Sequence, residues 1–478
     1  MDAAPIPFNG PDSGLDELSG SRGPLVNLLV DAAGGMRLRP GIAAWDEFPP
    51  TVPDANPVVA MTVWQNKLVY VTQSSTGTRK LYAWTSYQNV EALSDSTTAT
   101  QLEGAERPRI TTTRTKVILA GGGAMLKYTG SGLAALLGGS PPALVTDVLV
   151  MTQRVVALEA GEGGLFYWSA PGDGNHETWT TSEDFREAEA RPDKIVAIRD
   201  SARELFVWGS ETLQVYGPDP NEVFAPINNM DLGCLARHSI IRHDEQFAWL
   251  DSRRRFVMSD GRAYEAIGTP ATDRLVAELA SVTDCWGSRV RLDDRDLLLW
   301  VFPTDGRAFA YDMTTKVWSE WRGWSSGNWA GLTIQSHVYW PEKNVNLVGL
   351  SDGTIAKLDL STYTDSGTAI HWLARSGFVD HENASTKATQ KVQFHVRRGE
   401  STDTAEPFFL MRWRDDLGTF SGPLQVGLGT TSTRPFATVE KWSIGKPYLH
   451  RQWEIYGSSN ALVSIAKVIE SFDTMEEA

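Results

Sequence analysis

The chain has 478 residues, too many for most single compact cores, and its 41% apolar content with 18 Trp, 17 Phe and 12 Tyr suffices for a large buried interior. Its 44 basic against 59 acidic residues leave a formal charge of −15, which excludes a surface built mainly to grip phosphates. Two cysteines, Cys234 and Cys285, exclude a disulfide framework and read as buried thiols in a reducing compartment.

Taken in chain order, residues 1–54 come first. They lack the basic start and continuous apolar stretch of a secretory signal. "PLVNLLVDAAGGMRLRPGI" predicts an extended arm that contributes a strand or two and helps to close a ring.

From residue 55 a loose repeat takes over, in which a β-rich run meets a Gly, Asp or Ser turn and is answered by a second run. It occurs in "KLVYVTQSSTGTRKLYAWT" from Lys67, "KVILAGGGAMLKYTG" from Lys116, "RVVALEAGEGGLFYWSAPGDG" from Arg154 and "ELFVWGSETLQVYGP" from Glu204. It recurs in "QFAWLDSRRRFVMSDGRAYEAIG" from Gln246, "DLLLWVFPTDGRAFAYD" from Asp296 and "NLVGLSDGTIAKLDL" from Asn346. Starts roughly 40 to 50 residues apart match four-stranded propeller blades. The fold expected is therefore all-β, with a β-propeller of about seven blades over 55–365. Six or eight blades are the alternatives, since the copies are degenerate and carry no WD dipeptide.

Past "STYTDSGT" the texture changes to longer alternating runs such as "KVQFHVRRG", "FFLMRWRDD" and "HRQWEIYG". They predict a β-sandwich over 366–478. No apolar run in the chain reaches the about 18 residues of a bilayer span.

Motifs that might carry chemistry read more simply as structure. "GSGLAA" at 130–135 lacks the βαβ setting of a dinucleotide turn, and "AGGGAM" at 120–125 lacks the Lys and hydroxyl of a phosphate loop. "WSAPGDGNHETW" at 168–179 resembles the Asp-box turn of sialidase propellers, a structural device. A glycosidase pair would have to come from Asp293, Asp294 and Asp296, adjacent on one segment around Arg295, which suits a solvated hairpin tip. His238 and His243 have no third ligand at zinc spacing. No nucleophile–base motif is present, so neither an enzyme nor a cofactor or metal site is expected.

Four tryptophans crowd "WSEWRGWSSGNW". Trp318 and Trp321, with Trp208 and Trp249, are assigned to packing between blades. Trp324 and Trp329 flank "SSGN", and the loop 323–328 is left as a contact surface. Further interface candidates are the basic run Arg253, Arg254 and Arg255, and the triplet Arg412, Trp413 and Arg414, expected to be exposed.

The order of "VNLLVD", "LRPGI", "KIVAIRDSARELFVWGSETLQVYGP", "GCLARHSIIRHDEQFAWLDS", "GRAFAYDMTTKVWSEW" and "NVNLVGLSDGTIAKLDL" resembles the tail hub, or nozzle, of short-tailed bacteriophages, also called packaged-DNA stabilisation proteins. The resemblance implies a virion protein made in the host cytoplasm. It implies self-assembly as a ring, six copies in the relatives, below a portal adaptor. Tail fibres or tailspikes would dock outside, a needle or plug at the tip, and double-stranded DNA would pass through without specific binding. The alternatives are a sialidase-like or glycosidase-like propeller enzyme and an intracellular interaction propeller.

Overall fold

The computed structural model describes residues 2–8, 24–95, 102, 107–161, 164–188, 193–220, 222–292, 295–382, 384–397, 406–429, 436–458 and 460–475. Six sets of four consecutive antiparallel strands and a seventh of three follow one another along the chain. The first five are closed four-stranded sheets beginning with Val58–Trp64, Arg109–Thr112, Val145–Met151, Ile195–Ser201 and Ile241–His243. The sixth begins at Trp286–Leu292 and the seventh at Ile334–Trp340.

These are propeller blades arranged in a closed ring. Seven apolar clusters join successive blades, one cluster per junction, and the last unites Trp340, Leu347 and Ile355 of the seventh blade with Val58, Leu68 and Tyr70 of the first. The blade count is therefore seven. Because every blade is covered on both faces, its middle strands read as unbroken apolar runs: Val117–Ala120 is buried at all four positions, and Lys67–Gln73 at all but its two ends. Tight hairpins recur between first and second strands. Gln65–Asn66, Thr152–Gln153 and Ala202–Arg203 each place two consecutive residues at positive φ, the geometry that matches strand twist in a two-residue turn.

The seventh blade takes its outer strand from the other end of the chain. Gly41–Ala44 pairs antiparallel with Ile355–Asp359, with Ala44 opposite Ala356 and Gly41 opposite Asp359. The rest of the arm leaves the propeller: Leu25–Val26 pairs parallel with Trp318–Trp321 and antiparallel with Trp372–Val379. One nine-stranded sheet thus runs from the sixth blade, through the arm, into the carboxy-terminal sheet of Trp372–Val379, Arg451–Gly457, Phe408–Asp415 and Leu424–Gly427.

Facing it is a second sheet built from Lys387–Arg397, Phe436–Tyr448 and Ser464–Thr474, to which the arm adds Asp2–Pro5, Leu28–Val30 and Met36–Leu38. The core between the two sheets includes Phe394, Phe409, Trp453 and Ile455, with Leu25, Leu28 and Met36 from the arm. This is the β-sandwich.

Candidate functional site

The tryptophan-rich segment divides at Trp321. Trp318 is 1% exposed and stacks at 5.6 Å on Trp300, with Phe256 of the fifth blade 4.7 Å away, while its indole N–H donates to Ile267 O at 2.8 Å. Trp321 is fully buried between the sixth and seventh blades, with the Arg39 guanidinium 5.4 Å from its ring. Trp208 and Trp249 meet edge to face at 5.5 Å between the fourth and fifth blades. Rings this large remove a correspondingly large apolar area from water at these junctions.

Beyond Trp321 the chain forms a short hairpin of Gly323–Ser325 and Asn328–Ala330, turned by Ser326 and Gly327 at positive φ. Its two half-buried rings, Trp324 and Trp329, meet edge to face at 5.2 Å, and Trp324 stacks at 3.8 Å on His371, just ahead of the strand Trp372–Val379. Burial lowers the His371 pKa and keeps the imidazole neutral. Together they wall a cleft of about 680 Å³ between propeller and sandwich, whose far side carries Phe408, Arg412 and Tyr456.

The Arg412–Trp413–Arg414 triplet differs from its expected exposure, because strand alternation splits it. Trp413 points toward the sandwich core beside Trp453, 6.0 Å away. Arg412 is half-buried: its Nε donates to Glu454 at 2.6 Å and its guanidinium lies 4.6 Å from the Phe420 ring. Arg414 donates to Gln452 at 2.7 Å. Glu454 is fully buried and also receives Arg375, so it fixes both guanidiniums against the sheet. The structure thus brings Trp324, Trp329 and Arg412 into one cleft and takes Trp413 out of it.

The basic run sits elsewhere, on a turn of the fifth blade. Arg255 donates twice to Asp251, at 3.0 and 2.7 Å; Arg254, at φ 60°, reaches Ala277 O at 3.3 Å; Arg253 is exposed. Asp293 and Asp294 lie outside the described residues. Asp296 is engaged by Arg289 Nη2 at 2.5 Å. Gly130 and Gly132 are positive-φ turn residues, as is Gly122. In the Asp-box-like segment, Ser169 receives the Val155 N–H at 3.0 Å and locks its turn to the neighbouring strand. Both cysteines are 1% exposed, and burial pushes the Cys234 thiol up to about 12.

Sequence reasoning missed a polar cluster where the first strands of the blades converge. Asp147 is fully buried and accepts from Arg199 Nη1 at 2.6 Å, from the Ile198 N–H at 3.1 Å and from the Val148 N–H at 3.0 Å. Arg237 donates to Val196 O at 2.6 Å and to Thr146 O at 3.2 Å, while Arg199 Nη2 donates back to Arg237 O at 3.0 Å. These bonds tie the third, fourth and fifth blades at the axis. Arg107 and Arg109 reach the same region from the second blade. The available signal was "RPR" at the head of a first strand, where proline is tolerated because the ladder only begins at Arg109, opposite Ala120.

Among the described residues no helix is long and apolar enough to cross a membrane. No curated protein matches the sequence. Among solved structures, the chain is similar to one reported under "Structural and functional probing of PorZ, an essential bacterial surface component of the type-IX secretion system of human oral-microbiomic Porphyromonas gingivalis". Identity is 12% and the TM-score 0.38, over 65% of this chain and 38% of that one, so the chain spans well under half of its length. The family model described as "Bacteriophage P22 Gp10, beta-propeller" matches residues 78–362, from the third strand of the first blade to just past the seventh. The chain belongs to the family of the bacteriophage P22 Gp10 β-propeller, a phage tail structural protein.

Proposed function

We propose that copies of this chain form a closed ring at the distal end of a short phage tail, retaining packaged DNA until the ring opens as the channel for genome ejection. The portal adaptor would dock on one end of the ring, a needle or plug at its tip, and tail fibres or tailspikes on its outer face. In this reading the chain is made in the host cytoplasm and works through surfaces.

Membership of the tail-protein family across nearly the whole propeller carries the reading. The net charge of −15 suits a channel through which DNA slides, since each phosphate neutralised by a cation would add affinity and slow passage. A cyclic ring also needs two different complementary faces on each subunit. The sandwich offers apolar material for one: Phe436 is 67% and Trp442 58% exposed on the strand Phe436–Tyr448, at the edge of its sheet. A long edge strand with exposed rings is a template for pairing with another chain.

Electron microscopy of the purified protein, alone and on tails, tests the reading. Closed rings with a central pore are expected, and Phe436→Lys with Trp442→Lys should reduce their number without unfolding the subunit. Monomers at all concentrations, together with normal DNA retention in particles lacking the protein, would overturn it.

A further inference from the structure

We propose that the axis of each propeller holds a binding site for one small oxyanion of the phosphate or sulfate class. The site is a cavity of about 120 Å³ walled by the first strands of four blades and by the turn that leads into the fifth, with Met61, Ile110 and Trp286 on its apolar side and Arg107, Arg109, His238, Ser288 and His337 on its polar side. Its size admits a single ion and excludes a nucleic acid strand.

Positive charge is concentrated there in an otherwise acidic chain. Arg107, Arg109, Arg199 and Arg237 all act on His238, and the carboxylates acting on this group are Asp147, Asp200 and, beside Arg107, Asp284. Asp147 is engaged by Arg199 and two backbone N–H groups, and Arg109 Nε stands 3.7 Å from it, too far for a hydrogen bond. Burial raises the Asp200 carboxyl. Four guanidiniums thus share three carboxylates.

Donors at the site are left open. Arg109 Nε and His238 Nε2, both on its wall, are buried without a hydrogen-bond partner. A buried N–H without an acceptor costs about 1–3 kcal/mol, so two on one cavity wall call for an acceptor that the protein does not supply. An oxyanion provides several acceptor oxygens and the missing charge together.

The remaining groups are already placed. Arg107 donates to Gln335 O and lies 5.0 Å from the Trp286 ring, which fixes its plane. Burial, joined by the like charge of Arg79, lowers it to about 9, still a cation at neutral pH. His337 is held by Ser288 Oγ at 2.7 Å and Asn346 Oδ1 at 3.1 Å, so it forms wall rather than donor.

Calorimetric titration of the intact protein with inorganic phosphate, at constant ionic strength in chloride, reads the site directly. Saturable binding of one phosphate per chain is expected, with sulfate competing and acetate weaker. Arg109→Gln, about a third exposed and therefore tolerated by the fold, should weaken it about tenfold or more; His238→Ala should weaken it as well, whereas Arg253→Gln on the outer turn should not. A second readout guards against non-specific salt effects, because phosphate and sulfate raise melting temperatures by exclusion from any protein surface. The wild-type rise should saturate and exceed that of Arg109→Gln. Equal, non-saturating rises in both proteins, or no heat of binding to the wild type, would overturn the site.

Discussion

Arg39 and Asp365 meet fork on fork, with Nη2 to Oδ2 at 2.6 Å and Nη1 to Oδ1 at 3.0 Å, at the seam where arm, propeller and sandwich come together. The same arginine donates through Nε to Asn27 Oδ1 at 2.8 Å, and Asn27 Nδ2 donates in turn to Arg322 O and His371 O at 2.8 and 2.7 Å. Arg39 has no exposed side-chain surface. One buried cation therefore organises polar groups drawn from three separated parts of the chain.

Breaking that node should cost stability at once. Arg39→Leu takes both guanidinium donors from Asp365 and leaves Asn27 Oδ1 with the Arg322 N–H alone, and is expected to lower stability by about 3 kcal/mol. Denaturant titration followed by tryptophan fluorescence measures it, and a loss under 1 kcal/mol would show the seam to be held by apolar contacts alone.

The two halves of the tryptophan cluster should separate in a stability experiment. Trp318→Ala, emptying a site between two blades, is expected to cost about 3–5 kcal/mol. Trp329→Ala, at a cleft rim already open to water, should cost about 1 kcal/mol or less. Comparable melting points for the two variants would contradict the assignment of Trp318 to the core.

A pH dependence follows from Glu470. Its burial would raise the carboxyl, but hydrogen bonds from His381, Thr389, Tyr448 and Trp453 outweigh that and hold it below 4.5. A carboxylate depressed in the folded state contributes stability above its unfolded pKa and loses it as pH falls through the folded value. Melting temperature should therefore decline from about pH 4.5 downward, and Glu470→Gln should flatten that decline while lowering stability at pH 7. A decline of the same steepness in the variant would assign the acid sensitivity to other carboxylates.

Gly139 offers a backbone test. It sits at φ 84°, and a Cβ there would fall 1.4 Å from Glu177 O. Gly139→Ala should destabilise by more than the about 1 kcal/mol expected from positive φ alone. Gly77, at φ 87° with open space around it, is the control that should show only that smaller loss.

Strand positions were legible in the sequence because the middle strands of a blade, covered on both faces, are unbroken apolar runs bounded by turn residues. Pairing partners were not. Nothing local in "GIAA" states that it lies beside "IAKLD", and the arm's other strands look alike whether they join the propeller or the sandwich. In Arg412–Trp413–Arg414 the residue types suggested a surface, and only Glu454 and Gln452 on the neighbouring strand explain why the two cations lie flat against the sheet. The axial arginines escaped notice for the same reason: each is an ordinary residue on its own strand, and their convergence is a property of the closed ring.

The strand Gly41–Ala44 also sets an order of events in time. It leaves the ribosome before any blade, yet its partner Ile355–Asp359 is made after all the others. The earliest strand of the propeller must therefore wait, unpaired, while the blades assemble, and its docking is among the last steps of maturation. Non-local pairing of this kind is slow, so closure of the ring of blades waits on the last of its strands to be made.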